Sequence, residues 1–178
     1  GSPLYTPDLN HPADRYQWYE SRATRVTWQA SPRNKFSFFA DPQDDCICRS
    51  TSQIGNDPVA ALAYHQRPQG LYQATWTSLL TSKLIVEAAV AEMLSDWPNI
   101  YAEGVQPDDI SILEQSTNFR YGSRASYLGP INENHRKTMR ASVSYVTGSP
   151  AIKVGFQDES LVRTEQKCVN RNVTYVWN

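Results

Sequence analysis

The sequence predicts an all-β fold of antiparallel hairpins with about eight strands. Three observations carry this. Residues alternate with period two over 22–30, 137–147 and 151–157. Short turn signals separate the alternating runs: 31–34, 81–82 and 148–150. Ten Tyr and five Trp against five Phe suit strand surfaces with one wet and one apolar side.

Taken in order, residues 1–15 are Pro-rich and read as an irregular N-terminal segment of a single 1–178 domain. In the first strand Thr24, Val26 and Trp28 face one way, and Arg25, Thr27 and Gln29 the other. Ser31-Pro32-Arg33-Asn34 turns the chain, and 35–40 returns. Residues 41–68 read as a long polar connection broken by Pro42, Gly55, Pro58 and Pro68, with a short helix at 58–64. A Thr/Trp-rich strand follows at 70–80. Segment 83–94 is its hairpin partner, against the rival reading of an amphipathic helix. Residues 109–117 are a weaker strand, and 118–136 a Gly/Ser/Asn/Tyr-rich loop. Met139, Ala141, Val143 and Tyr145 oppose Thr138, Arg140, Ser142 and Ser144 in the cleanest strand. Ile152, Val154 and Phe156 mark its return, 158–171 a loop, and 172–177 an eighth strand.

Net charge is −1, from 17 Lys+Arg against 18 Asp+Glu, so no basic field draws the chain to nucleic acid. No apolar run approaches the ~20 residues of a spanning helix, a test that leaves strands untouched. Short connections at one end and long ones at the other fit two architectures. One is an outer-membrane β-barrel, with the apolar face toward lipid. The other is a soluble β-sandwich or small barrel, with that face as core.

Chemistry-bearing motifs are sparse. There is no phosphate loop, His-Glu-x-x-His or Gly-x-Ser-x-Gly elbow. Glu87 and Glu92, five apart, fall on opposite strand faces, and Glu114 is unpaired. His11, His65 and His135 read as surface loop residues. Asp44-Asp45 and Asp108-Asp109 lack the spaced oxygens of a calcium loop. No catalytic residue, metal or cofactor is expected. The candidate disulfide set is Cys46, Cys48 and Cys168, with Cys168 the more comfortable partner for either of the other two. The candidate ligand-binding residues are Arg25, Trp28, Trp76, Tyr121, Tyr127 and Arg140, for a small-molecule or glycan ligand.

Residues 140–155, with Ser144-Tyr145-Val146-Thr147-Gly148-Ser149 followed by Ala151-Ile152-Lys153-Val154-Gly155, resemble a hairpin of TonB-dependent outer-membrane receptors. The likeness is to the carboxypeptidase-regulatory-like or Oar-like group. Residues 22–29 with Lys35, and 71–77, resemble two earlier hairpins, with Cys46-Ile47-Cys48 between them. Pro150 stands where that group has His. The resemblance implies a segment of a barrel of about 22 strands, without plug or TonB box. It further implies ligand uptake, TonB and either outer-membrane lipid or the rest of a larger barrel as partners, and residence in the bacterial outer membrane. The alternative reading is a soluble β-rich carbohydrate-binding module or small glycoside hydrolase, secreted or periplasmic.

Overall fold

The structure is a computed structural model that describes residues 5–7, 9–10, 14–50, 55–147 and 151–178. Its strands are β1 (Arg15–Ser21), β2 (Thr24–Ser31), β3 (Asn34–Ser50), β4 (Tyr64–Leu79), β5 (Leu84–Ser95), β6 (Ser111–Glu114), β7 (Phe119–Tyr121), β8 (Tyr127–Val146), β9 (Ala151–Cys168) and β10 (Thr174–Trp177). The main sheet runs β1-β3-β4-β5-β8-β9, with β2 also on β3. All its pairings are antiparallel. β2 and β1 lie end to end along the same side of β3: Thr24 faces Ala40, and Ser21 faces Gln43.

Segment 83–94 is strand, as β5, and the turn at 148–150 lies outside the described residues. The strands are longer than their apolar alternation. β3 runs through Pro42, and β4 contains Pro68. In an extended residue N–H and C=O point the same way. The Pro42 carbonyl accepts from Arg22 N at 3.2 Å, so its missing donor faces the gap between β1 and β2, where no ladder bond is lost. Pro68 sits where the β3–β4 register shifts, and its carbonyl takes Asp96 N at 3.0 Å, just past β5. The helix expected at 58–64 is a single 3-10 turn, Pro58–Ala60.

The second sheet, β10-β6-β7, has three strands, with β10 parallel to β6. Both the 109–117 strand and the C-terminal strand therefore leave the main sheet. The buried side chains concentrate around this small sheet and the start of β8: Ala60, Ala61, Ala63, Val105, Tyr121 and Tyr127, with Ser111, Ser123, Asn132 and Asn170. The polar members are tied in. Arg120 Nη1 donates to Ser111 Oγ at 2.6 Å, Ser123 Oγ to the Asp109 carbonyl at 2.8 Å, and Asn132 Nδ2 to the Trp97 carbonyl at 2.8 Å.

The fold corrects the barrel expectation. Neither sheet closes: the outer edges of β9 and of β1/β2 carry no strand partner among the described residues. A spanning sheet must pair every edge, because lipid offers no hydrogen bonds. The barrel segment is overturned with it, and so are the lipid contact and the outer-membrane location that the resemblance implied. What stands is an all-β fold of two open sheets.

Candidate functional site

Register places the two faces of the main sheet. Arg25, Phe39, Gln73, Ala91, Thr138 and Glu159 stand opposite one another across six strands, and Thr27, Ser37, Thr75, Ala89, Arg140 and Gln157 form the next row. This is the polar face. The other face carries Val26, Phe38, Ala74, Val90 and Met139 in one row.

A groove crosses the middle of the polar face. Ala89 and Ala91 on β5 are low ground between Gln73 and Thr75 of β4 and Thr138 and Arg140 of β8. The result is a cavity of about 340 Å³, adjoined by one of about 490 Å³ toward Glu87, Ser142 and Lys153. Thr75, Ala89, Arg140 and Gln157 line both. Gly155 keeps the floor thin, since a Cβ there would lie 3.1 Å from the Ala141 carbonyl oxygen and from Ser142 Cβ.

The charges in this groove are unequally matched. Glu87 accepts from Lys153 Nζ at 2.6 Å and from Ser142 Oγ at 3.2 Å. The Lys153 hydrogen bond and charge, then Ser142, hold its carboxyl below the usual carboxylate range. Arg136 is bound to Glu159 through Nε at 2.9 Å and through Nη2. Arg140 has no ion pair or side-chain hydrogen bond among the described residues and acts on Glu87 only through its field.

The Glu87–Lys153 pair gives a first expectation. A carbon-detected NMR titration finds the Glu87 carboxyl below the ordinary glutamate midpoint of about 4.3, and Lys153→Met returns it upward. The sign follows from the lowered pKa. The pair stabilises the fold at neutral pH, and this contribution fades as pH falls through the Glu87 midpoint. Both side chains are about half exposed, so the stability effect is small. An unchanged Glu87 midpoint in Lys153→Met rules the pairing out.

The sequence candidates are not gathered in one place. Arg140 lines the groove. Arg25 lies on the same face but at the β2 edge, over the Phe39 ring at 5.2 Å. Trp28 and Trp76 belong to the opposite face: Trp28 stacks on Phe36 with centroids 5.6 Å apart, and Trp76 Nε1 donates to Asn34 Oδ1 at 3.1 Å. Tyr121 and Tyr127 are buried. Tyr121 Oη accepts from Trp177 Nε1 at 3.0 Å, and the Tyr127 ring packs 4.6 Å from Tyr101. Sequence reasoning missed Gln73, Thr75, Gln157 and Lys153. The only local signal was the polar face of 71–77, visible as Gln73, Thr75 and Thr77.

Cys46 and Cys48 are bonded to each other across a Cα separation of 5.1 Å, and Cys168 is an exposed free thiol. His65 and His135 sit on β4 and β8 and not in loops. The Nε2 of His65 lies 2.6 Å from Asp44 Oδ1, and that of His135 2.8 Å from Asp96 Oδ1. Among the described residues no group of three or more His, Cys, Asp or Glu could hold a metal ion.

No known protein family, curated protein or solved structure matches this chain. The resemblance to TonB-dependent receptors is therefore withdrawn together with the barrel. The uptake function and the TonB partnership it implied go with it.

Proposed function

We propose that the polar groove binds a glycan and that the chain is a carbohydrate-binding module. One observation carries the reading: an unpaired guanidinium, Arg140, stands beside the amides of Gln73 and Gln157 and the hydroxyl of Thr75, above an alanine floor. Sugars present closely spaced hydroxyls that both donate and accept. Amide and hydroxyl side chains answer both roles, and a guanidinium adds a fixed fork of donors. With Lys153 neutralised by Glu87 and Arg136 by Glu159, Arg140 is the uncompensated charge of the groove. A sugar ring bearing a carboxylate fits it best, because an Arg–carboxylate contact is charge-assisted and bidentate.

Binding is favoured over hydrolysis by the groove's acids. Glycoside hydrolysis needs two carboxyls flanking the bond. Glu87 is the one carboxylate among the lining residues, and it is committed to Lys153. The Cys46–Cys48 disulfide suits an oxidising compartment and supports a secreted or periplasmic setting.

Calorimetry against neutral and uronate-containing oligosaccharides tests this. Uronate oligosaccharides bind the wild type, and Arg140→Met weakens them roughly ten- to a hundredfold, the loss of a charged hydrogen bond. Lys137→Met, on the opposite face beside Glu92, serves as control and keeps full affinity. Equal affinity in Arg140→Met and wild type removes the groove from consideration.

A further inference from the structure

Among the described residues the apolar face of the main sheet is unpartnered, and its relief is specific. One row reads Trp28, Phe36, Trp76, Ala88, Ala141 and Phe156 across the six strands. Large rings thus flank a two-strand alanine trough. A neighbouring apolar groove of about 320 Å³ runs between the rings and β5, lined by Phe36, Phe38, Ala74, Trp76, Ala88 and Val90 among others. Trp28, Phe38, Val90, Met139, Val154 and Phe156 are between 46% and 68% exposed. Each half-exposed large side chain leaves roughly 100 Å² of apolar surface in water. With Val26, Val143 and Ile152, the patch comes to about 900 Å², above the ~300–600 Å² of a typical monomer's largest patch. A sheet with one apolar face must bury it against a second layer.

We infer that the second layer is another copy of this chain, packed face to face so that the two open sheets form a sandwich about a two-fold axis. Two features select this occupant. The area matches the ~800 Å² per partner of a stable dimer. Ridge and trough lie on one surface, as a self-complementary contact requires. The apolar band also ends on a charged row, Glu92 and Lys137 with Asp158 beside them, which forms the polar rim of such an interface. Two sheets packed this way stand ~10 Å apart with interdigitating side chains. The glycan groove lies on the opposite face and stays open in the dimer, so neither reading depends on the other.

The two methionines report on the two faces. Met139 is on the apolar face, half exposed in one copy, and Met93 is on the polar face beside Arg136. Limited hydrogen peroxide oxidises each thioether to the sulfoxide, and mass spectrometry reads the ratio. In the wild-type chain, raising protein concentration through the dimerisation range lowers Met139 oxidation roughly fivefold relative to Met93, because burial blocks the reagent. Sedimentation equilibrium over the same range shows a monomer–dimer equilibrium. Val90→Glu abolishes it while the far-ultraviolet strand signal is retained. A concentration-independent Met139/Met93 ratio overturns the proposal. So does a wild type that is monomeric throughout, a dimer that survives Val90→Glu, growth beyond the dimer, or a chain kept in solution only by detergent.

Discussion

Replacing Gly122 by valine unfolds the small sheet. Gly122 follows β7 with φ +77°, a left-handed conformation that a β-branched residue adopts only under strain. Space is the larger problem. A Cβ at this position would lie 2.6 Å from the Ile110 carbonyl oxygen, a backbone atom immediately before β6 that cannot swing aside. The φ penalty and the clash together cost about 3–5 kcal/mol. That approaches the whole stability of a marginal domain. The damage is local at first, because the β6–β7 pairing spans only Ile112–Glu114 against Phe119–Tyr121. Hydrogen exchange in Gly122→Val is expected to show lost protection over 111–121 and 174–177, with β4 and β5 protected as before. Wild-type protection in β6 and β7 would mean that the backbone approach at Ile110 is not as drawn.

The same region shows what was legible in the sequence and what was not. Alternation was readable wherever one face is apolar and the other polar: Thr24–Gln29, Thr138–Tyr145 and Ile152–Phe156 all lie in strands. It failed where both faces are polar. In β9 beyond Gln157, Asp158-Glu159-Ser160 and Arg163-Thr164-Glu165 show no apolar side, yet they pair with β8 through Arg163↔Asn134 and Glu165↔Asn132. The second half of β3, with Asp41, Asp44, Asp45 and Arg49, went unread for the same reason, and Pro42 and Pro68 read as breaks although their missing donors fall outside the ladder; β1, by contrast, follows a strand-like pattern that begins at Tyr16. The barrel segment rested on alternation, on connection lengths and on the resemblance; alternation reports which face is apolar and is silent on whether the edges meet. Of the groove, Arg140 was visible as a cation on a clean strand. Its neighbours are not local: Gln73 and Gln157 lie 84 residues apart in sequence (157 − 73) and meet only through the registers of β4, β5, β8 and β9.

Tyr121 and Tyr127 stand in a Gly/Ser/Asn-rich stretch that reads as an exposed loop, and so read as ligand contacts. Their burial turns that expectation into a stability prediction. Tyr127 is 5% exposed, its ring packs on Tyr101, its hydroxyl accepts from Arg124 N at 3.2 Å, and burial raises its phenol above the usual range. Tyr127→Ala removes a ring from a small core and leaves the Arg124 amide without its acceptor. The expected loss is about 3–5 kcal/mol from the cavity, with about 1–3 kcal/mol more for the stranded amide. Tyr127→Phe keeps the ring and separates the two contributions, losing only the second. Denaturant unfolding of the three chains measures this. Calorimetry on the fraction still folded is expected to return wild-type affinity for uronate oligosaccharides, because the groove is built by β4, β5, β8 and β9 on Ala89 and Arg140, not by Tyr127. A Tyr127→Ala chain of undiminished stability that no longer binds the oligosaccharide would reverse the assignment: the ring would then be a contact surface, and the buried cluster around β6 and β7 the site.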